Sequence, residues 1–155
     1  MTPLPYIPAD VSAVMMCGVS GSGKTTMARR LEAEGWVRLS PDALAYDTGL
    51  SYPEAMARTL DRLRPLLDAG RRVVIDAAMC KRTGRDAVRR ICRDAGVRCG
   101  LIYLSAPREE LLRRLGARAG SGPDDIIVPA AELDRFLQNF QPPEPDEPQL
   151  IDKPN

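Results

Sequence analysis

Residues 18–25, with the sequence Gly-Val-Ser-Gly-Ser-Gly-Lys-Thr, constrain the fold of this chain more than any other feature. They fit the pattern G-x-x-x-x-G-K-[ST], which is informative when it lies between a strand and a helix. A continuous apolar run at residues 13–19 leads into the glycines, and apolar residues at helical spacing follow Lys24. The pattern therefore predicts a P-loop, in which backbone N–H groups and the positive end of a helix bind phosphate.

The residue types of this loop predict how a nucleoside triphosphate would bind. The Lys24 ammonium would contact the β- and γ-phosphates, the Thr25 hydroxyl would ligate Mg²⁺, and Thr26 would assist at the phosphates. The chain lacks the guanine-recognition motif N-K-x-D, so we expect ATP rather than GTP. The predicted nucleotide-binding residues are Gly18, Ser20, Gly21, Ser22, Gly23, Lys24, Thr25 and Thr26.

Strand-like and helix-like patterns alternate along most of the chain. Apolar runs predict strands at 13–19, 36–40, 71–78 and 100–106. Helical spacing or helix-start signals predict helices over 24–34 and 53–69, from Thr83 to Gly96, from Pro107 onward, and over 129–140. The alternation predicts an α/β fold with three layers, α/β/α, around a parallel sheet of about five strands, the last at residues 149–151.

Two helix details follow from single residues. Pro65 lies inside the helix predicted over residues 53–69 and is expected to kink or split it, because proline lacks an N–H group. Thr83 is followed by Asp86 three residues later, a spacing that predicts the start of the next helix at Thr83.

Composition favours a single P-loop domain over residues 1–155. The 22 basic and 21 acidic residues leave a net charge of +1, which does not favour a polyanionic partner. Four cysteines without C-x-x-C spacing, in a chain without histidine, argue against a zinc site. The apolar runs are far shorter than the ~20 residues of a membrane span, and the N-terminus lacks the pattern of a signal peptide. We therefore expect a soluble, cytoplasmic protein.

Two segments have compositions that do not suit regular elements. The glycine-rich residues 120–125 predict a mobile lid over about residues 113–128. Arg114 and Arg118 are four residues apart and share a helix face beside this lid, where guanidinium groups would stabilise the charge of a transferring phosphoryl group. A solvated helix face is the alternative for both. Residues 141–148 contain four prolines and three acids and predict an extended surface connector.

Two aspartates follow predicted strands, at the sheet edge where ligands bind in doubly wound folds. Asp76 is expected to reach the Mg²⁺ shell, and Asp42 is a candidate for chemistry on the phosphoryl acceptor. The alternatives are that Asp76 caps the following turn and that Ser40 or Asp42 caps a helix. Arg82 and Arg85, near the start of the helix after Asp76, could hold an anionic acceptor.

On these residues the sequence resembles the P-loop kinase group that includes polynucleotide 5′-kinases, zeta-toxin-like kinases and small AAA-type ATP-binding proteins. The resemblance covers roughly residues 13–148. Its motifs are the P-loop, residues 39–42 and 73–76, Arg85, residues 111–118 and residues 140–144. The resemblance implies that Asp42 is the base for the acceptor hydroxyl, that Arg114 and Arg118 are lid arginines, and that the sheet order is 2-3-1-4-5.

Two departures from the polynucleotide kinases bear on the acceptor. Their arginine three residues after the acceptor aspartate is replaced by Ala45, and their Thr or Asn after the third-strand aspartate is replaced by Ala77 and Ala78. We therefore expect an ATP-dependent kinase whose acceptor is a hydroxyl of a small molecule at least as readily as a nucleotide or polynucleotide 5′ end. The alternative is an ATP-binding switch or regulatory module that phosphorylates no acceptor.

Overall fold

Strands and helices alternate in the computed structural model, which describes residues 3–19, 21–118 and 129–150. The strands among these residues are β1 (Val11–Cys17), β2 (Val37–Leu39), β3 (Val73–Ile75) and β4 (Arg98–Tyr103). The helices are α1 (Lys24–Ala33), α2 (Pro41–Thr48), α3 (Tyr52–Asp68), α4 (Arg82–Asp94), α5 (Arg108–Arg118) and α6 (Ala130–Asn139). Within these described residues, no helix combines the length and the apolar character needed to cross a membrane.

The described strands form one parallel sheet in the order β2-β3-β1-β4. This is the predicted α/β fold, and the order agrees with the first four positions of the predicted 2-3-1-4-5. The fifth strand stays a prediction. Beside β4, the Leu150 N–H donates to the Leu101 carbonyl at 2.7 Å, but Ile151 lies outside the described residues.

The alternation of side chains along β1 explains why helices cover both faces of the sheet. Met15 packs on one face with Leu63 of α3 and Val88 of α4, while Met16 packs on the other face with Leu31 of α1. All five side chains are at most 1% exposed. The central strand β1 is therefore enclosed on both faces, and the loop that follows it emerges at the carboxyl edge of the sheet.

Two details of the helices differ from the prediction. The helix α3 runs without interruption to Asp68, so Pro65 does not split it, while a kink at Pro65 stays a prediction. Pro65 lies near the carboxyl end, where its missing N–H removes a single helical hydrogen bond, and the buried Leu63 and Leu67 hold both sides of it against the core. The helix α4 begins one residue before Thr83, and no side-chain cap is found for it among the described residues.

The helix α2 was not predicted from the sequence. It begins with Pro41, which suits the first helical position because proline has no N–H to satisfy there. The Ser40 hydroxyl accepts the Ala43 N–H at 3.1 Å and caps the helix, and Gly49 ends it in a left-handed conformation. Start and stop signals were therefore present, but α2 is short and weakly amphipathic.

The helices α5 and α6 pack together beside the loop that follows β1. Val19 lies against Leu111, Leu115 and Leu133, and each of these residues is at most 8% exposed. Residues 119–128, which make up most of the predicted lid, lie outside the described residues. The lid over residues 113–128 accordingly stays a prediction.

This packing predicts a large effect of truncating Leu63, which is fully buried in the core. Leu63→Ala should lower the free energy of unfolding by about 2–5 kcal/mol, because the removed side chain leaves a cavity. The matched control is Arg64→Ala on the same helix. The Arg64 side chain is 48% exposed and pairs with Asp68, so this change should cost no more than about 0.5 kcal/mol. Urea denaturation measures both, and losses of similar size would contradict the assignment of the core.

Candidate functional site

The P-loop connects β1 to α1 through a backbone path that requires glycine. Gly21 and Gly23 have φ angles of 86° and 99°, in the left-handed region that other residues rarely adopt. A Cβ atom on Gly18 would lie 2.5 Å from the Leu104 carbonyl oxygen. The Gly18 N–H donates to the Ala78 carbonyl at 3.0 Å, which joins the loop to the segment after β3.

Polar groups meet at the start of α1, as a phosphate site requires. Gly23 is the N-cap residue, and the described residues offer it no side-chain cap. The Ser22 hydroxyl is buried and has no hydrogen-bond partner within the described part of the chain, and Lys24 is only 8% exposed. Because buried polar groups are normally paired, this arrangement fits phosphate oxygens. Thr26 is exposed on the first turn of α1, and Ser20 lies outside the described residues.

Thr25 and Asp76, the two residues predicted to ligate Mg²⁺, are adjacent. The Thr25 hydroxyl donates to the Asp76 carboxylate, with oxygen–oxygen distances of 3.0 and 3.3 Å. The Nε and Nη2 atoms of Arg38 on β2 donate to Oδ2 of the same carboxylate at 3.0 and 2.7 Å. A hydroxyl and a carboxylate are hard oxygen donors, so this pair fits Mg²⁺. Arg38 balances the charge of the buried Asp76, which is 2% exposed.

Asp42 lies on α2 within electrostatic range of this cluster. Ser40 caps the helix, which leaves the Asp42 carboxylate without that structural role. Burial raises the pKa of Asp42 above its ordinary value of 3.8, and the positive charge of Lys24 opposes this rise. Asp76 and Arg38 also act on it, in opposite directions. A carboxylate with a raised pKa beside the phosphate site is suited to accept a proton.

Sequence reasoning missed Arg38 in this site, and Tyr52 within electrostatic range of Asp42. Tyr52 begins α3, and although part of it is exposed, burial raises the pKa of its hydroxyl above the ordinary value of 10.0. The negative charge of Asp42 adds to this rise. The one available signal for Arg38 was a charged residue inside an apolar strand. For Tyr52 there was none, because a tyrosine at a helix start is ordinary.

Arg114 on α5 reaches the P-loop. Its Nη1 donates to the Gly21 carbonyl at 3.0 Å, and its Nε donates to the Glu110 carboxylate at 2.9 Å. A cavity of about 330 Å³ separates α1 from α5 at this point, and its lining includes Gly23, Thr26, Arg30, Leu104, Arg113 and Arg114. Arg118 ends α5, and its side chain lies outside the described part of the chain.

Arg82 and Arg85, considered as acceptor ligands, are engaged with the C-terminal part of the chain. The Arg82 guanidinium forms two hydrogen bonds of 2.7 Å with Asp146. Arg85 is 0% exposed and pairs with Glu147 at 2.8 and 3.0 Å. The buried Arg85 is therefore not available to an acceptor. The position of these two arginines soon after Asp76 in the sequence does not tell whether they bind a ligand or pair with an acid of the protein.

The chain has relatives of known family and fold. Residues 14–143 match the model of a family described as an AAA domain. A nucleotide-binding protein of Cutibacterium acnes is 29% identical over 103 residues, which are 65% of this chain. The chain spans only 32% of the length of that relative.

Two solved structures share the architecture. A sugar kinase from Janibacter sp. HTCC2649, solved without ligand, is 28% identical with a TM-score of 0.66, covering 91% of this chain and 84% of that chain. A gluconokinase from Sinorhizobium meliloti 1021 has the same TM-score at 22% identity, covering 92% and 82%, and shows the fold alone. The glycine-dependent phosphate loop, the parallel sheet and the family match agree, and the chain belongs to the AAA domain family.

Proposed function

We propose that this protein is an ATP-dependent kinase that transfers the γ-phosphoryl group of ATP to a hydroxyl of a small molecule or of a nucleotide or polynucleotide 5′ end. The observation that carries the proposal is that Asp42 lies within electrostatic range of both Lys24 and Asp76. One carboxylate is enough to help bind a magnesium–nucleotide complex. A second, with a raised pKa, is what the deprotonation of an acceptor requires.

The residues of this cluster divide the reaction between them. The P-loop amides and Lys24 would hold the β- and γ-phosphates, and Thr25 and Asp76 would hold Mg²⁺. When bound, Mg²⁺ neutralises charge on the phosphate oxygens. Asp42 would orient the acceptor hydroxyl and accept its proton as the new bond to phosphorus forms and the bond to the ADP oxygen breaks.

Arginines of α5 would complete the site. Arg114 already contacts the carbonyl of Gly21, so a small movement of its guanidinium would bring it to the transferring oxygens. Arg118 is proposed to act with it from the next turn of the helix, and residues 113–128 are proposed to close over the nucleotide. These roles concern the transition state more than nucleotide binding.

The described residues around Asp42 favour a small acceptor without multiple negative charges. Arg82 and Arg85, the arginines predicted to hold an anionic acceptor, are paired with acids of the C-terminal segment. The similarity to a sugar kinase supports the same acceptor class, a small molecule with hydroxyl groups. Four free cysteines and a need for ATP are in keeping with a cytoplasmic location.

Acceptor-dependent ADP release tests the proposed function. The purified protein is incubated with MgATP and with pooled sugars, nucleosides or oligonucleotides, and ADP is measured. We expect one pool to stimulate release above the rate without acceptor. ATP binding without stimulation by any pool would instead favour a nucleotide-binding switch.

Lys24→Ala should largely abolish the rise in melting temperature that MgATP produces in the parent, because the variant loses the charge that contacts the phosphates. Lys81→Ala is the matched control. Lys81 is exposed and donates to the Asn139 carbonyl, so its replacement should leave the MgATP-induced rise unchanged. An equal rise in Lys24→Ala and parent, measured by thermal denaturation, would exclude a role for the loop in nucleotide binding.

Asp42→Asn should bind MgATP like the parent and lose about 10²–10⁴-fold in kcat on the identified acceptor, because the amide cannot accept the proton. Asp47→Asn changes an exposed acid on the same helix and should retain activity. The parent's kcat should fall as the pH drops through the raised pKa of Asp42, at a higher pH than for an ordinary aspartate. Near-parental turnover of Asp42→Asn would return Asp42 to a structural role.

Arg114→Ala should lower kcat with little change in the Kd for ATP, because its guanidinium is proposed to act on the transferring group. Arg113→Ala is a neighbouring control. The Arg113 side chain is 70% exposed and pairs with Glu110, so its removal should affect kcat much less. Steady-state kinetics on the identified acceptor decide the matter, and equal effects of the two changes would rule out a specific role for Arg114.

A further inference from the structure

The proline-rich residues 141–148, called the strap below, lie across the start of α4. The Gln141 N–H donates to the Cys80 carbonyl at 2.8 Å, and the Gln141 side-chain oxygen accepts the Arg82 N–H at 2.9 Å. Asp146 pairs with the Arg82 guanidinium. The strap, predicted from the sequence as an extended surface connector, is therefore attached to the segment that follows β3.

Glu147 is the buried residue of the strap, with 1% of its side chain exposed. Its carboxylate accepts hydrogen bonds from Nε and Nη2 of Arg85 at 2.8 and 3.0 Å, and from the Glu144 N–H at 2.8 Å. The Nη1 atom of Arg89 lies 2.8 Å from Oε1 of Glu147. The hydrogen bonds from Arg85 lower the pKa of Glu147 to about 2, so the carboxylate stays charged. A buried ion pair is seldom more stabilising than apolar residues of similar size, so stability alone does not explain why Glu147 and Arg85 are charged.

The contact of Arg85 with the backbone of Met79 supplies an explanation for the buried charge. Its Nη1 donates to the Met79 carbonyl at 2.8 Å, and the Cys17 thiol donates to the same carbonyl at 3.6 Å. Met79 has a φ angle of 50°, an uncommon value for a residue with a side chain. Such a conformation persists only where its surroundings hold it. The Nη1 atom of Arg85 therefore restrains the strained turn at Met79, while Glu147 holds the Nε and Nη2 atoms of the same guanidinium.

This turn supplies two parts of the nucleotide site. Asp76, three residues before Met79, bonds the Thr25 hydroxyl, and the carbonyl of Ala78 accepts the Gly18 N–H of the P-loop. A displacement of the Met79 carbonyl would consequently move both the magnesium-side carboxylate and the first glycine of the phosphate loop.

We propose that Glu147 and Arg85 are positioning residues of the nucleotide site. Glu147 orients Arg85, Arg85 holds the Met79 carbonyl, and the turn between β3 and α4 thereby keeps Asp76 and Gly18 in place. The proposal rests on the proposed function, since it takes Asp76 and the P-loop as the binding site for magnesium nucleotide. On this proposal the strap is part of the scaffold of the site, although Glu147 follows Arg85 by 62 residues in the sequence.

Glu147→Gln tests this, because the amide keeps the size but places a donor against the arginines. We expect the Kd for MgATP to rise about 3- to 30-fold, the range of coupling energies seen between residues that do not touch the ligand. The Kd for ATP measured in EDTA should rise less, because Asp76 contributes only with the metal. The ratio of the Kd for ATP in EDTA to the Kd for MgATP, called the Kd ratio below, should therefore be smaller in Glu147→Gln than in the parent. A purely structural role would lower the melting temperature without changing this ratio well below that temperature.

Asp146→Asn is the matched control within the strap. It removes the ion pair with Arg82 at a carboxylate that is 65% exposed, without touching Arg85. Its Kd ratio should equal that of the parent. If Glu147→Gln does not fold, as judged by circular dichroism, Glu147→Asp replaces it. Glu147→Asp keeps the charge but withdraws the carboxylate from Arg85 by one methylene. The Kd ratio of this variant is measured in the same way and should also be smaller than that of the parent.

Hydrogen exchange of the Gly18 amide, measured without nucleotide, separates this inference from the proposed function. The amide is bonded to the Ala78 carbonyl and should exchange faster in Glu147→Gln than in the parent or in Asp146→Asn. An unchanged Gly18 rate and an unchanged Kd ratio would overturn the positioning role. A parent that binds ATP in neither buffer would overturn the proposed function, while faster Gly18 exchange would still support the restraint of the turn.

Discussion

The buried carboxylate of Asp76 is the group on which the rest of the site depends. It lies at the end of β3, is 2% exposed, and accepts hydrogen bonds from Thr25 on α1 and Arg38 on β2. A carboxylate at this depth is stable only with charged or hydrogen-bonding partners. The requirement brings the start of α1 and the middle of β2 to one point, beside the loop that follows β1.

Two groups of arginines lie near the P-loop and the turn after β3, and they differ in their partners. Arg38 and Arg114 contact groups of the phosphate site, namely Asp76 and the Gly21 carbonyl. Arg85 contacts Glu147 and is wholly buried, so its charge acts within the scaffold. The same residue type thus has a carboxylate or a carbonyl beside the P-loop as its partner in one place, and a buried glutamate of the strap in the other.

The parts of the fold that the sequence predicted are those with strong local patterns. The run through Met15 and Met16 had to be a strand enclosed on both faces, and Lys24 had to begin a helix after a glycine loop. Prediction failed where packing outweighed local preference. Pro65 stays inside α3 because leucines on both sides of it are buried, and α4 starts at Arg82, one residue before Thr83.

By itself, the sequence determined the phosphate loop and the alternation of strands and helices, because a short pattern of glycines and the spacing of apolar residues express local backbone requirements. Only the tertiary structure decided the partners of charged side chains. Arg38 meets Asp76 across two strands, and Arg85 meets Glu147 from 62 residues away. Such pairings depend on which buried charges the folded chain brings together, and no local pattern of residues encodes them.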